Sequence, residues 1–239
     1  MDGIYLFNGV VGMNKQGPDK IDWTDASWNI ITGCDHACKY CYARRMANRL
    51  AGRYGYPKVN PFTPTFHVDR LAQIGRWKKS EKIFVCSMGD MWGSWISTDW
   101  ITRILSMISH YPQSVFQFLT KNPVRYSDFL CRPNCWYGTT IDGLPFTENN
   151  LEKLVHSTKG AKVRFISFEP LLSEIHPNLY DIDWIIIGAD SSRGAKKPPK
   201  KWADILIDYA RNTNTAVWMK DNYGYPEIIK EWPEKGAVQ

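Results

Sequence analysis

The sequence predicts an α/β fold, a (β/α) barrel of parallel strands, complete or open. Short apolar, β-branched or aromatic runs recur along the chain, and segments with apolar residues at helical spacing fall between them. Several runs, such as Ile83–Met88 and Trp184–Ala189, are almost continuously hydrophobic. Such runs fit strands covered on both faces, as parallel sheets require. Strand alternating with helix is the pattern of a barrel or an open relative of one.

In chain order, the strand runs are Trp28–Thr32, Thr65–Val68, Lys82–Met88, Ser114–Thr120, Cys135–Ile141, Val163–Phe168, Trp184–Gly188 and Ala216–Met219. Helices are expected over Ala43–Arg53, Asp69–Lys78, Asp99–His110, Glu148–Ser157 and Lys200–Asn212, with Thr147 placed to cap the fourth. The 239 residues suit one core better than two. We therefore expect a single domain: an extension over residues 1–22, a barrel over 23–220 and a tail over 221–239.

Composition narrows the function. Charged residues make up 23% and hydrophobic ones 44%, which excludes a disordered or fibrous chain. No apolar run approaches the ~20 residues of a membrane span. The N-terminus lacks the basic segment and cleavage site of a signal peptide, so a cytoplasmic location is expected. Six cysteines are too few for a disulfide scaffold, and in a reducing compartment clustered cysteines bind metal or do chemistry. A net charge of +6 suits a polyanionic partner, and 11 Trp and 12 Tyr offer faces for stacking bases. A generic basic surface and an aromatic core explain the same numbers.

The expected strand exits are polar, and in barrels chemistry sits at those exits. They carry Ser87 to Asp90, Thr120–Lys121, Thr139–Thr140, Ser167 with Glu169, Asp190 after Gly188, and Lys220–Asp221. Ordinary caps and turns use the same residue types. Arg193, Lys196, Lys197, Lys200 and Lys201 form a basic stretch that is either a nucleic-acid contact or a charged loop.

Cys34, Cys38 and Cys41 stand in the pattern C-x3-C-x2-C after the first expected strand. Thiolates are the ligands of iron–sulfur clusters. Three of them leave one iron of a cubane open, as a catalytic metal needs. Zinc on the three cysteines plus His36 is the competing reading, and its spacing is unusual for a finger. Cys86, Cys131 and Cys135 lack the fourth thiol of an auxiliary cluster, and Cys86 reads as core.

C-x3-C with an aromatic residue before the last cysteine resembles the signature of the radical S-adenosylmethionine (SAM) superfamily. A wider likeness, through Trp23–Ala43, Ile83–Trp92, Phe116–Pro123, Cys135–Ile141, Arg164–Leu172, Asp183–Ser192 and Val217–Asp221, resembles the phage Gp37/Gp68-type family within it. That family usually has Gly-Gly-Glu-Ser-Gly where Gly188–Ser192 stand, and a Lys-Gln pair where Lys220–Asp221 stand. Both departures fall where substrate is expected.

The resemblance implies a [4Fe–4S] cluster on Cys34, Cys38 and Cys41, with SAM on the open iron and Tyr40 near its adenine. It implies reductive cleavage of SAM to a 5′-deoxyadenosyl radical that abstracts hydrogen from a substrate. An external donor of flavodoxin or ferredoxin type would supply the electron. On this reading Ser87, Asp90, Thr139, Thr140, Ser167 and Glu169 are candidates to bind SAM, and Lys121, Asp190 and Lys220 face the substrate. The basic charge and aromatic content favour a nucleobase, a nucleotide or a modified DNA thymine. A free small molecule or peptide, and a non-catalytic metal-binding module for nucleic acid, are the alternatives.

Overall fold

The computed structural model describes residues 6–7, 10–11, 13–17, 20–76 and 80–234. The chain divides into two compact units, one running through Phe118 and the other starting at Leu119.

In the first unit, β1 (Leu6–Phe7) and β2 (Val10–Val11) form an antiparallel pair. β3 (Asn14–Lys15) lies antiparallel to β4 (Ala26–Trp28). β4 runs parallel to β7 (Lys82–Val85), which in turn runs parallel to the start of β8 (Val115–Thr120). A small ladder joins β5 (Ile31–Thr32) to β6 (Thr65–Phe66). Helices α1 (Tyr42–Arg49) and α2 (Thr98–Ile108) follow β5 and β7 in the chain. Ser97 caps α2, its hydroxyl accepting from Asp99 N at 3.2 Å.

The second unit holds four parallel strands, β9 (Cys135–Thr140), β10 (Val163–Phe168), β11 (Trp184–Ile187) and β12 (Ala216–Met219), paired in that order. α3 (Asn150–Ser157) connects β9 to β10, and α4 (Lys200–Asn212) connects β11 to β12. Every residue of β9 and β11 is buried; β11 is apolar throughout, whereas β9 ends in Gly138, Thr139 and Thr140. Both units are thus parallel strands joined by helices, a mixed α/β architecture. No helix among the described residues is long and apolar enough to cross a membrane.

Several expected elements change at their ends, for identifiable reasons. The run Trp28–Thr32 is two strands: between them the Asn29 carbonyl accepts from Arg70 at 2.6 Å, while its side-chain Oδ1 accepts from Met88 N at 2.9 Å and from the Ser87 hydroxyl at 3.2 Å. The run Lys82–Met88 ends as a strand at Val85. Cys86 then has φ 62°, and Gly89 N donates to its carbonyl, so Ser87 and Met88 lie in a turn. The helix expected over Asp69–Lys78 is a 3₁₀ helix at Val68–Arg76, and residues 77–78 fall outside the described residues. Thr147 does not cap α3: that helix starts at Asn150, and the Thr147 hydroxyl donates to Asp142 Oδ1 at 2.7 Å.

A buried polar hub lies among β4, β5 and the 3₁₀ helix. Arg70, 5% exposed, donates to the carbonyls of Asn29 at 2.6 Å and Tyr54 at 2.5 Å, and its own carbonyl accepts from Trp28 Nε1 at 2.9 Å. Thr32 Oγ1 lies 2.8 Å from His67 Nε2. Burial, reinforced by the Arg70 charge, lowers the His67 pKa to about 4 from an ordinary 6.5. Unfolding restores the ordinary value, so between these pH values the unfolded chain binds the extra proton. This contribution to stability is therefore complete above pH 6.5 and declines as pH falls towards 4. Between pH 7 and pH 5 the expected loss is roughly 2 kcal/mol. Urea midpoints across that range will show it, and His67→Gln should flatten the dependence.

In the second unit, residues 229–231 lie along β12. Met219 N donates to Ile229 O at 2.8 Å, and Glu231 N donates to Val217 O at 2.9 Å. Arg211 grips the Glu231 carboxylate with two bonds of 2.8 and 2.7 Å. Trp232 stacks on Trp184 at 5.1 Å and packs against Trp218 at 4.8 Å. The unpaired edge of β12 is covered in this way.

Candidate functional site

The cysteine loop begins where two glycine backbones touch. Gly33 pairs with Gly89 in a bridge, and Gly33 N donates to Met88 O at 2.9 Å. Gly33 has φ +89°, and a Cβ there would sit 2.4 Å from the Thr63 carbonyl oxygen. A Cβ at Gly89 would sit 2.7 Å from Gly33 O. Cys34 N then donates to Phe62 O at 3.2 Å, which fixes the start of the loop. At its far end Cys41 caps α1, its Sγ accepting from Arg44 N at 3.4 Å. Arg44 also donates to Cys34 O at 3.3 Å and lies over the Phe62 ring.

All three thiols are free of disulfides and partly exposed. Cys34 and Cys41 pack against Ala43, Ala47, Tyr56, Phe62 and Met88. Burial pushes the Cys34 thiol far up, and the negative groups at Asp90, Cys38 and Cys41 push it further. The backbone N–H of His36 opposes this. The loop therefore places Cys38 and Cys41 close enough to Cys34 to disfavour its thiolate, beside an apolar wall, with main-chain N–H groups directed at two of the sulfurs. A cationic iron centre would relieve that penalty. Among the described residues no group of three or more His, Cys, Asp or Glu side chains converges to hold a metal ion. A cubane sets each thiolate on its own iron, so its ligands need not converge on one point. The residues present fit such a cluster by donor type, by spacing and by the N–H···S bonds.

His36, the fourth ligand in the zinc reading of the sequence, has a buried side chain. Its Nε2 lies 2.8 Å from Asp90 Oδ2, and its ring packs edge-on to Trp95. Asp90 Oδ1 accepts from Trp92 N at 3.0 Å, so this carboxylate braces the turn after β7 against the loop. Ser87, in the same turn, donates to Asn29 and accepts from the Tyr42 hydroxyl at its carbonyl, 2.6 Å away. Tyr40 is half-buried, and its carbonyl accepts from Arg45 at 3.0 Å.

In the second unit the polar strand exits form two ion pairs. Lys121 donates to Asp142 Oδ2 at 2.6 Å, both largely buried. Lys220 donates to Glu169 Oε1 at 2.5 Å, with side-chain exposures of 16% and 23%. Asp142 escaped the sequence reading although Thr147 and Leu144 N also bond to its other oxygen. Its sole sequence signal was its place directly after the Cys135–Ile141 run. Thr139 is fully buried, and its hydroxyl donates to Thr120 O at 2.8 Å. Thr140 and Ser167 are buried at adjacent register positions of β9 and β10. Asp190 Oδ1 accepts from Ser192 N at 2.7 Å and shapes its own turn. Cys131 and Cys135 both reach the Tyr137 hydroxyl, and burial raises both thiols.

A family model described as "Protein of unknown function (DUF5131)" matches residues 18–235. No curated protein matches the chain. Two solved structures are similar to it. One is a mutant spore photoproduct lyase with bound AdoMet and dinucleoside spore photoproduct: TM-score 0.49, 12% identity, 84% of this chain and 64% of that chain covered. The other is spore photoproduct lyase complexed with dinucleoside spore photoproduct: TM-score 0.48, 13% identity and the same coverages. The chain spans about 64% of the length of these two proteins.

Proposed function

Since the chain belongs to the DUF5131 family, we propose that this member is a radical SAM enzyme on a partial or complete (β/α) barrel. Its substrate in this reading is a nucleobase, a nucleotide or a modified DNA thymine. The observation that carries the proposal is the loop Cys34–Cys41, with three thiols outside any disulfide, N–H groups on two sulfurs and an apolar wall. Cys34, Cys38 and Cys41 would hold a [4Fe–4S] cluster, which when bound supplies the electron for reductive cleavage of SAM.

The chain's own residues have separable tasks in this reading. The apolar wall shields one side of the loop, and the Gly33–Gly89 contact fixes where the loop starts. Asp90 orients His36, and Tyr40 is assigned to the adenine. Ser87, Thr140 and Ser167 supply hydrogen-bonding groups to SAM, while Thr139 holds the strand exit in place. Lys220 is paired with Glu169, and Lys121 with Asp142. These two ammonium groups and Asp190 are assigned to the substrate, where a lysine pairs with a phosphate or a base carbonyl. The donor of the electron is a separate flavodoxin- or ferredoxin-type protein.

The test is anaerobic reconstitution with iron and sulfide, followed by reduction in the presence of SAM. The expected product is 5′-deoxyadenosine, detected by mass spectrometry. Cys34→Ala, Cys38→Ala and Cys41→Ala should each lose it. A cluster-loaded protein that makes none would overturn the enzyme reading and leave a metal-binding module.

A further inference from the structure

We infer that the loop between β11 and α4 is a seat for the phosphodiester backbone of a nucleic acid strand. The inference rests on the nucleic-acid reading above and adds where the strand is held. The loop, residues 188–199, leaves β11 at its C-terminal end, the side on which α/β sheets receive their substrates.

This loop is pinned at both ends. Ala189 N donates to Asn222 Oδ1 at 3.2 Å, and Asn222 Nδ2 returns a bond to Ala189 O at 2.8 Å. At the other end the Tyr223 hydroxyl donates to Pro199 O at 2.8 Å. Inside it, Asp190 accepts from Ser192 N and Ala195 N donates to Ser192 O at 3.0 Å. The backbone is therefore held before any ligand arrives.

Its cations divide into two sets. Lys200 is paired with Asp204 and Lys201 with Glu174. Arg193, Lys196 and Lys197 are exposed, and among the described residues none of them forms an ion pair or hydrogen bond. Nearby acids are already engaged: Asp190 with its own turn, Asp204 with Lys200 and Tyr225, Glu174 with Lys201 and His176. Three unneutralised cations on a pre-ordered loop match a repeating anion. Each phosphate they meet releases condensed counterions, which makes the affinity fall with salt.

The test measures binding of a fluorescent oligothymidylate 12-mer to the full chain by anisotropy over a series of potassium chloride concentrations. R193Q/K196Q/K197Q should make the plot of log affinity against log salt shallower by about 2, at ~0.7 per phosphate contact on a single strand. Between 50 and 200 mM salt that change amounts to roughly a tenfold difference in how far affinity falls. K153Q/K159Q/K162Q removes the same charge from exposed residues on and after α3, before β10, and should leave the slope unchanged. An unchanged slope in the loop variant, an equal change in both variants, or no binding by the native chain overturns the inference. So does a loop variant that keeps the oligonucleotide slope but loses affinity for an acidic flavodoxin. The binding assay needs no cluster, so loss of 5′-deoxyadenosine without loss of salt-dependent binding would sink the enzyme reading and leave this one standing.

Discussion

Gly33→Ala is expected to destabilise the first unit by about 3–5 kcal/mol and to abolish loading of the cysteine loop with iron. Two penalties combine. The backbone at φ +89° suits glycine and strains any residue with a Cβ. The added Cβ would also meet Thr63 O at 2.4 Å and Phe62 O at 2.6 Å, and these are backbone atoms with no rotamer to yield. The same Phe62 carbonyl receives Cys34 N, so relief of the clash moves the first cysteine. Denaturant titration and iron content per chain read the two effects separately. A variant with native stability and full iron would show that the contact is not restrictive.

Arg70→Ala is expected to cost about 3–5 kcal/mol, comparable to breaking one side of a buried charged network. The guanidinium satisfies the carbonyls of Asn29 and Tyr54, and its removal leaves the buried Asn29 carbonyl without this donor. Because Asn29 holds Met88 N and Ser87 through its side chain, the disturbance reaches the turn that carries Asp90. Burial holds the Arg70 pKa below its ordinary value, yet the arginine stays charged at any pH the protein survives. Arg70→Lys should recover little, since one ammonium cannot replace a planar fork reaching two carbonyls. Thermal unfolding of the two variants checks this, and a shift of less than about 1 kcal/mol for Arg70→Ala would refute the hub.

β11 and β12 of the second unit are legible because their residues are apolar in unbroken runs, and β9 and β10 because β-branched and aromatic residues dominate them despite Gly138, Arg164 and Ser167. The cysteine loop was legible because its ligands are local in sequence. What could not be read was pairing across distance. His36 finds Asp90 54 positions away, and Lys121 finds Asp142 21 positions away. Composition offers many acids for either, and only the fold selects one. Strand ends depend on distance in the same way: the Asn29 carbonyl between β4 and β5 is taken by Arg70, 41 positions away, which local propensity does not show. Thr147 had the residue type of a cap and the wrong neighbour, since Asp142 takes its hydroxyl first.

The segment 229–231 beside β12 has a consequence for the order of events during synthesis. β11 and β12 are complete once Met219 has been made, but the Trp184 indole N–H finds its acceptor only at Glu231 O, 47 residues further on. Trp232 then completes the ring contacts with Trp184 and Trp218. A chain emerging from the ribosome N-terminus first can settle its first unit early. The second unit must wait, its outer strand bare, until residue 232 has cleared the exit tunnel. During that interval the bare strand is an open template for mispairing on the nascent chain, and the rate of translation through the last codons of this stretch sets how long it lasts.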